Sequence, residues 1–383
     1  MRVLHAIDSA GIYGAEAVLL SLASEQRLRG GHPMLLSMGS PGTAEKPIES
    51  EARRRGIECV TLRMRGAFDL AGALRLVRIA REQRADVIHS HGYKGNILLG
   101  LLPRRRRGAP VITTLHGWTA KRAWSKLGVY RLFDQYLLPR LDGVVIVNDQ
   151  MRQLPALARL RRPPVTIPNG VAAANPANSH DSPLARSIAE LRTRCPVLLG
   201  VVGRLSPEKN VVELIEALHA CTAAPHAGLV ILGGGPERPA VENAIARLGL
   251  GQRVLLGGYV ANARDYLASL DVLVIPSLTE GLPMILLEAM AASLPVIATR
   301  VGDIPAVLGD LGLLVPPADR TALTDAIAIV AQDLPRFRQL GARAAERVAR
   351  DYSAAAMADR YAAVYESVLA QVGQRATTAG MLR

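Results

Sequence analysis

The sequence predicts an α/β chain of two facing, doubly wound domains. Three observations predict it. Short apolar runs alternate with amphipathic stretches from the first residues onward, one Pro-, Asn- and Ala-rich stretch interrupts them near the middle, and the same rhythm then restarts. The length of 383 residues also exceeds what one hydrophobic core usually covers.

Residues 3–7 read as a buried strand, and a glycine-bearing turn at 9–14 leads into an apolar-periodic stretch over 15–28. Apolar runs at 33–37, 57–62, 86–89, 111–114 and 144–147 read as further strands, with a helix over 69–83. This alternation predicts a parallel sheet covered on both faces, a Rossmann-like domain. Residues 168–183 break the pattern and read as the linker. Strands are then expected at 197–202, 228–232, 253–256, 272–275 and 295–298, with helices at 211–220, 239–248 and 283–292. From Leu323 to about Val372 the chain reads as helical, with no further strand. The expected domains are residues 1–175 and 176–354, with ligands beyond the carboxyl ends of the strands and a cleft between the two.

Composition narrows the class. Apolar residues at 49% and charged residues at 21% are globular proportions. Residues 1–8 carry no basic start or long apolar stretch of a secretory signal, and the apolar run 97–102 is far below the roughly 20 residues of a membrane span. The expectation is a cytoplasmic protein. Cys59, Cys195 and Cys221 are widely spaced, which suggests reduced thiols and neither a disulfide framework nor a zinc site.

The net charge of +13 is uneven: residues 1–180 hold 27 Lys+Arg against 13 Asp+Glu, and the rest hold 19 against 20. Clusters at Arg53–Arg55, Arg104–Arg107, Lys121, Arg122 and Lys126, and Arg161–Arg162 would attract anionic partners. Nucleic acid is disfavoured, because aromatic residues are only 4% and none forms a stacking platform beside these clusters. An anionic membrane surface remains a candidate partner of the basic N-terminal domain.

Four sets of residues carry candidate chemistry. Gly203-Arg204-Leu205-Ser206-Pro207-Glu208-Lys209 puts two cations five residues apart on a turn at a helix start, which suits a diphosphate. Spacing alone also fits two solvated surface cations. Glu280 and Glu288 flank seven residues, with Pro283 placed to start a helix, so the first acid can point at a ligand at the helix mouth and the second can reach along it. A loop acid beside a helix-surface acid is the plainer alternative. The turns from Gly11 to Gly14 and from Gly233 to Gly235 could approach a phosphate or could be merely tight turns. His89, His91 and His116 sit at or just after predicted strand ends, where a histidine can donate to a sugar hydroxyl or shuttle a proton, although a structural hydrogen bond is the commoner role.

Together, Gly14 in its turn, Thr114-Leu115-His116-Gly117, Pro168-Asn169-Gly170-Val171, Gly203-Arg204 with Lys209, residues 233–238 and Glu280 to Glu288 resemble the retaining glycosyltransferases of family 4 over nearly the whole chain. The segment 276–299 is the most specific part. The resemblance implies a B-type glycosyltransferase (GT-B) fold, with the nucleotide-sugar donor in the C-terminal domain and the acceptor mostly in the N-terminal one. It also implies that the last helix, residues 355–383, packs back onto the N-terminal domain. Arg204 and Lys209 would neutralise the departing diphosphate, Glu280 would contact the donor sugar and Glu288 the ribose. Gly203, Met284 and Ile285 would complete the donor site, Gly14 would offer its amide to the phosphate, and His116 would lie near the donor sugar. His91 and His116 are the acceptor candidates.

No Asp-x-Asp occurs, so neither a metal nor any other cofactor is expected beyond the nucleotide-sugar. The implied acceptor is a lipid-linked or surface-polysaccharide glycan, reached on the inner face of a membrane. Val301-Gly302-Asp303-Ile304-Pro305 departs from the family pattern by lacking a second glycine and an acid, which puts the contacts of that loop in doubt. A non-catalytic nucleotide-sugar-binding subunit of a glycan-synthesis complex is the alternative, and the intact Arg204, Lys209, Glu280 and Glu288 speak against it.

Overall fold

A computed structural model describes residues 1–9, 11–12, 14–116, 126–172, 182–260 and 262–381. The chain divides into two compact units, Met1–Gly170 with Ala354–Arg383, and Val171–Ser353.

The first unit is built on β1 (Arg2–Asp8), α1 (Gly14–Leu28), β2 (His32–Gly39), α2 (Pro47–Arg54), β3 (Glu58–Arg63), α3 (Leu70–Glu82), β4 (Val87–Ser90), α4 (Tyr93–Leu101), β5 (Val111–Leu115), α5 (Lys126–Leu137), β6 (Gly143–Ile146) and β7 (Val165–Thr166). Its seven strands are ordered β3-β2-β1-β4-β5-β6-β7, and the pairings are parallel. Strands buried on both faces are mostly apolar, and a polar side chain within them needs a partner inside the protein. In β4 all four residues are buried, and so are all five of β5. Asp69 caps α3 by accepting from the amide of Gly72 at 2.8 Å.

The second unit runs α6 (Pro183–Arg194), β8 (Val197–Val202), α7 (Val211–Ala220), β9 (Ala227–Leu232), α8 (Arg238–Arg247), β10 (Val254–Gly258), β11 (Val272–Ile275), α9 (Met284–Ala291), β12 (Val296–Thr299), α10 (Ile304–Leu308), β13 (Leu313–Val315), α11 (Arg320–Gln332) and α12 (Leu334–Asp351). Its six strands are ordered β10-β9-β8-β11-β12-β13. Alternate residues of β8 serve opposite faces: Leu199 and Val201 join one core, Leu198 the other. The last helix, α13 (Ala354–Met381), belongs to the first unit. Arg29, just past the end of α1, holds it by bonding the Asp359 carboxylate and, at 2.9 Å, the carbonyl of Ala355, while Tyr361 and Tyr365 are buried.

Three short elements depart from the sequence reading. The two-residue β7, the five-residue α10 and the three-residue β13 were not expected, since none is long enough to show a period. Residues 173–181 of the expected linker lie outside the described residues. Among the described residues no helix is long and apolar enough to cross a membrane.

Candidate functional site

Doubly wound sheets bind ligands where the strand order reverses, beyond the carboxyl ends of the strands. In the second unit that point lies between β8 and β11, since the chain runs outward from β8 through β9 to β10 and then returns to the other side of β8. The loops that follow these two strands carry Arg204 to Lys209 and Glu280. Gly203, Arg204, Lys209, Glu280 and Ile285 line one pocket there.

Lys209 ends the short turn Pro207–Lys209, and its Nζ lies 2.5 Å from Glu280 Oε1. Ser277 Oγ donates to the same oxygen at 2.7 Å. A backbone bond from the amide of Leu278 to the carbonyl of Glu208, 2.8 Å, ties the two loops a second time. Arg204 is exposed and forms no ion pair among the described residues. The pocket therefore offers one free guanidinium fork, one ammonium held by a carboxylate, and the first-turn amides of α9, a set suited to an anion with several oxygens.

Met284 opens α9, and Glu288 sits one turn further along it. Neither lines the pocket of Lys209. Glu288 is half-buried, and burial raises its pKa; Arg264 opposes that shift and Asp265 adds to it. Arg264 and Asp265 carry no motif and were not foreseen.

The second glycine turn has a steric reason. A Cβ at Gly233 would lie 1.8 Å from the carbonyl oxygen of Gly203, and one at Gly235 would lie 2.1 Å from that of Leu205. Those glycines let the exit of β9 run against the Arg204 turn. Gly302, at φ +55°, packs on the carbonyl oxygens of Glu280 and Gly281, and the amide of Asp303 bonds the Gly281 carbonyl at 3.0 Å. The loop with the unusual sequence thus still supports Glu280.

In the first unit the order reverses between β1 and β4. Gly14 opens α1 just beyond β1 and is exposed; Ala10 and Tyr13 of its turn lie outside the described residues. Asp8 ends β1 and takes Lys46 at 2.7 Å and Lys94 at 2.9 Å. Burial opposes ionisation of Asp8, but the hydrogen bonds from both lysines outweigh it and hold the pKa low.

Four histidines continue this site inward. Gln26 Nε2 donates to the Tyr365 hydroxyl at 3.4 Å, which leaves Gln26 Oε1 to accept from His5 Nε2 at 2.8 Å. His5 Nδ1 then accepts from His91 Nε2 at 3.0 Å, and His91 Nδ1 from His116 Nε2 at 3.0 Å. His116 Nδ1 ends the chain as a lone pair with no hydrogen-bond partner among the described residues. His89 is held separately, by Tyr365 and Thr114, each at 2.8 Å. Burial lowers the pKa of all four: His5 and His116 to about 4, His89 and His91 well below the usual value.

This geometry corrects two expectations. His89 and His91 have both ring nitrogens engaged inside the unit, so neither has one left for an acceptor. A chain of neutral rings that terminates on an amide also does not shuttle protons. His5, His89 and His91 bring ring nitrogens within 4.8 Å of one another, but all six already have protein partners. His5, Gln26, Lys46, Lys94, Tyr361 and Tyr365 were missed; the two tyrosines, four apart on one helix face, were the one available signal.

Known proteins match the chain along most of its length. The family described as Glycosyltransferase Family 4 matches residues 12–175, and that described as Glycosyl transferases group 1 matches residues 196–333. The alpha-maltose-1-phosphate synthase of Mycolicibacterium smegmatis is 30% identical over 79% of this chain and 83% of its own. The 2-deoxystreptamine N-acetyl-D-glucosaminyltransferase of Streptomyces fradiae is 29% identical over 91% of this chain and 89% of its own. Among solved structures, Anabaena Alr3699/HepE in complex with UDP matches with a TM-score of 0.76 at 21% identity, covering 96% of this chain and 100% of that one. That likeness speaks to the fold.

Proposed function

Because the chain belongs to the family 4 glycosyltransferases, we propose that it moves a sugar from a nucleotide-sugar to a hydroxyl acceptor, with retention of configuration and without a metal. The observation that carries this reading is the pocket at the β8/β11 switch point, where Gly203, Arg204, Lys209 and Glu280 meet.

Arg204 and Lys209 bind the diphosphate and neutralise the charge that grows as the sugar leaves, a form of stabilisation that is usually the largest catalytic term. Before the donor arrives, Lys209 and Glu280 hold each other. An incoming phosphate takes over the ammonium and frees the Glu280 carboxylate to accept from sugar hydroxyls. Glu288 accepts from the ribose, and Met284 and Ile285 lie at the start of the helix that carries it. Gly14 offers its amide to the phosphate, and His116 uses its bare Nδ1 to accept from a donor-sugar hydroxyl. The acceptor hydroxyl attacks the anomeric carbon on the face the phosphate leaves, and the departing phosphate oxygen takes its proton. No separate general base is required.

Two cations at the diphosphate, and no Asp-x-Asp in the chain, support metal independence. The basic N-terminal half supports a lipid-linked or surface-polysaccharide acceptor, met at the inner face of a membrane by a cytoplasmic protein. A panel of nucleotide-sugars, read by nucleotide release with and without chelator, tests the proposal. Release from one donor, unchanged by chelator, is expected; no release from any donor, or release that needs added metal, overturns the corresponding part.

A further inference from the structure

A cavity of about 470 Å³ runs along β6 and β7 beneath α13, entirely within the first unit. That volume lies in the range of small-ligand pockets. Its walls are aliphatic, formed by Leu141, Val144, Leu160, Ile167, Val364 and Val368 among others, and among the described residues no aromatic side chain lines it. On α13 the lining residues Arg360, Val364, Ser367 and Gln371 recur at helical spacing, so one face of that helix forms the roof. Val165 and Val372, 44% and 39% exposed, stand at its mouth.

The rim is cationic. Arg104, Arg161, Arg162 and Arg360 all line the cavity, so two basic clusters far apart in sequence converge on one opening. The one acid among the lining residues, Asp142, is already taken by Arg104 at 3.3 Å and by the amide of Val111 at 3.0 Å. Arg161 and Arg162 are exposed and pair with no carboxylate among the described residues.

An aliphatic interior repels sugars, whose hydroxyls would lose their hydrogen bonds, and it offers a nucleobase no ring to stack on. An occupant that satisfies both walls and rim has a hydrocarbon chain and an anionic head. We propose that the cavity takes one acyl chain of an anionic membrane phospholipid, with Arg161 and Arg162 against its headgroup. This rests on the membrane reading above and gives that reading a specific address. The cavity flanks β6 and β7, the last two strands on one side of the sheet, whereas the strand order reverses between β1 and β4. Docking here therefore leaves that switch point open to substrate.

Sedimentation of the full chain with phosphatidylcholine vesicles, with and without phosphatidylglycerol, tests the proposal at low salt. Binding is expected only with the anionic lipid, and Arg161→Glu with Arg162→Glu should weaken it by at least about tenfold. The equal charge change Arg53→Glu with Arg54→Glu on α2 should leave most of it. Ser367→Trp, which fills the cavity without altering charge, should also weaken binding by about tenfold. Should that variant misfold, thiol labelling of Ser367→Cys decides, with protection expected from anionic vesicles only. If the wild type ignores anionic vesicles, the membrane reading falls and this inference with it. If it binds while Ser367→Trp binds equally, or while labelling is unprotected, the cavity is not the site and the membrane reading stands. Equal loss in the α2 variant would assign the binding to diffuse charge and overturn the proposal.

Discussion

The two sheets reverse their strand order in the same way and both carry ion pairs at or past a strand end, yet only the first fills its interior behind that point with titratable rings. Beyond β8 and β11 stand an ammonium, a carboxylate and an unpaired guanidinium. Between β1 and β4 the interior is filled by imidazoles that burial keeps neutral. Topology supplies the location, and the depth of each side chain supplies its charge state. His5 and His89 lie within their strands, sandwiched between helix layers, where desolvation forbids a charge. Lys209 and Glu280 lie on loops past the strand ends, where water and an incoming anion can reach them.

The largest test of this contrast is acid. A buried histidine whose folded pKa is depressed binds its proton more weakly than the unfolded chain does, so stability is lost as pH falls from about 6.5 toward 4. Each of the four rings contributes up to roughly 1.4 kcal/mol per pH unit in that window, and a few such rings rival the stability of a whole domain. Hydrogen exchange followed by mass spectrometry at pH 7.5, 6 and 5 should show the first unit opening before the second. Simultaneous opening would break the contrast.

Next in size is Lys209→Ala, which should lower kcat/KM by roughly 10²–10³ with the fold intact. A variant that keeps full activity would remove the charge-stabilising role from this site.

Asp134 sharpens the contrast from within the first unit, because it is a buried acid with no cation beside it among the described residues, unlike Asp8 with its two lysines. It is buried on α5, with Asn96 Nδ2 donating to it at 2.9 Å, and burial raises its pKa to about 6. Between about 4 and 6 the folded state keeps a proton the unfolded chain has lost, so its contribution to stability falls as pH rises. Asp134→Asn should therefore stabilise the protein by about 3 kcal/mol at pH 7.5 and by well under about 1 kcal/mol at pH 4. The new amide can also donate to Asn96 Oδ1, which has no partner among the described residues. Thermal melts at the two pH values check it, and equal effects at both would point to packing instead.

Smallest is Glu288→Gln, expected to cost about tenfold in kcat/KM by weakening one hydrogen bond from a sugar hydroxyl. Nucleotide-release kinetics measure it, and an unchanged rate would remove Glu288 from the donor site.

Much of this was legible in the residues. Both-face burial forces strands into apolar runs, so β8 and β11 read correctly to the residue and the nine other expected strands to within two, while β7 and β13 were too short to show such a run. The Arg204 to Lys209 turn and Glu280 stood out because their residues are polar within an apolar rhythm. His5, Lys46, Lys94 and Tyr365 did not, because what distinguishes them is contact across the chain: His89 and Tyr365 are 276 residues apart.

By itself, then, the sequence determined the alternation of strands and helices, the interruption between its two halves and the loops that hold the charged groups, since hydrophobic period and turn chemistry act over a few residues. Only the tertiary structure decided which histidines are neutral, where the lone pair of His116 is left, and that two distant arginine clusters rim one aliphatic cavity. Desolvation and hydrogen-bond polarity depend on neighbours that local sequence does not contain.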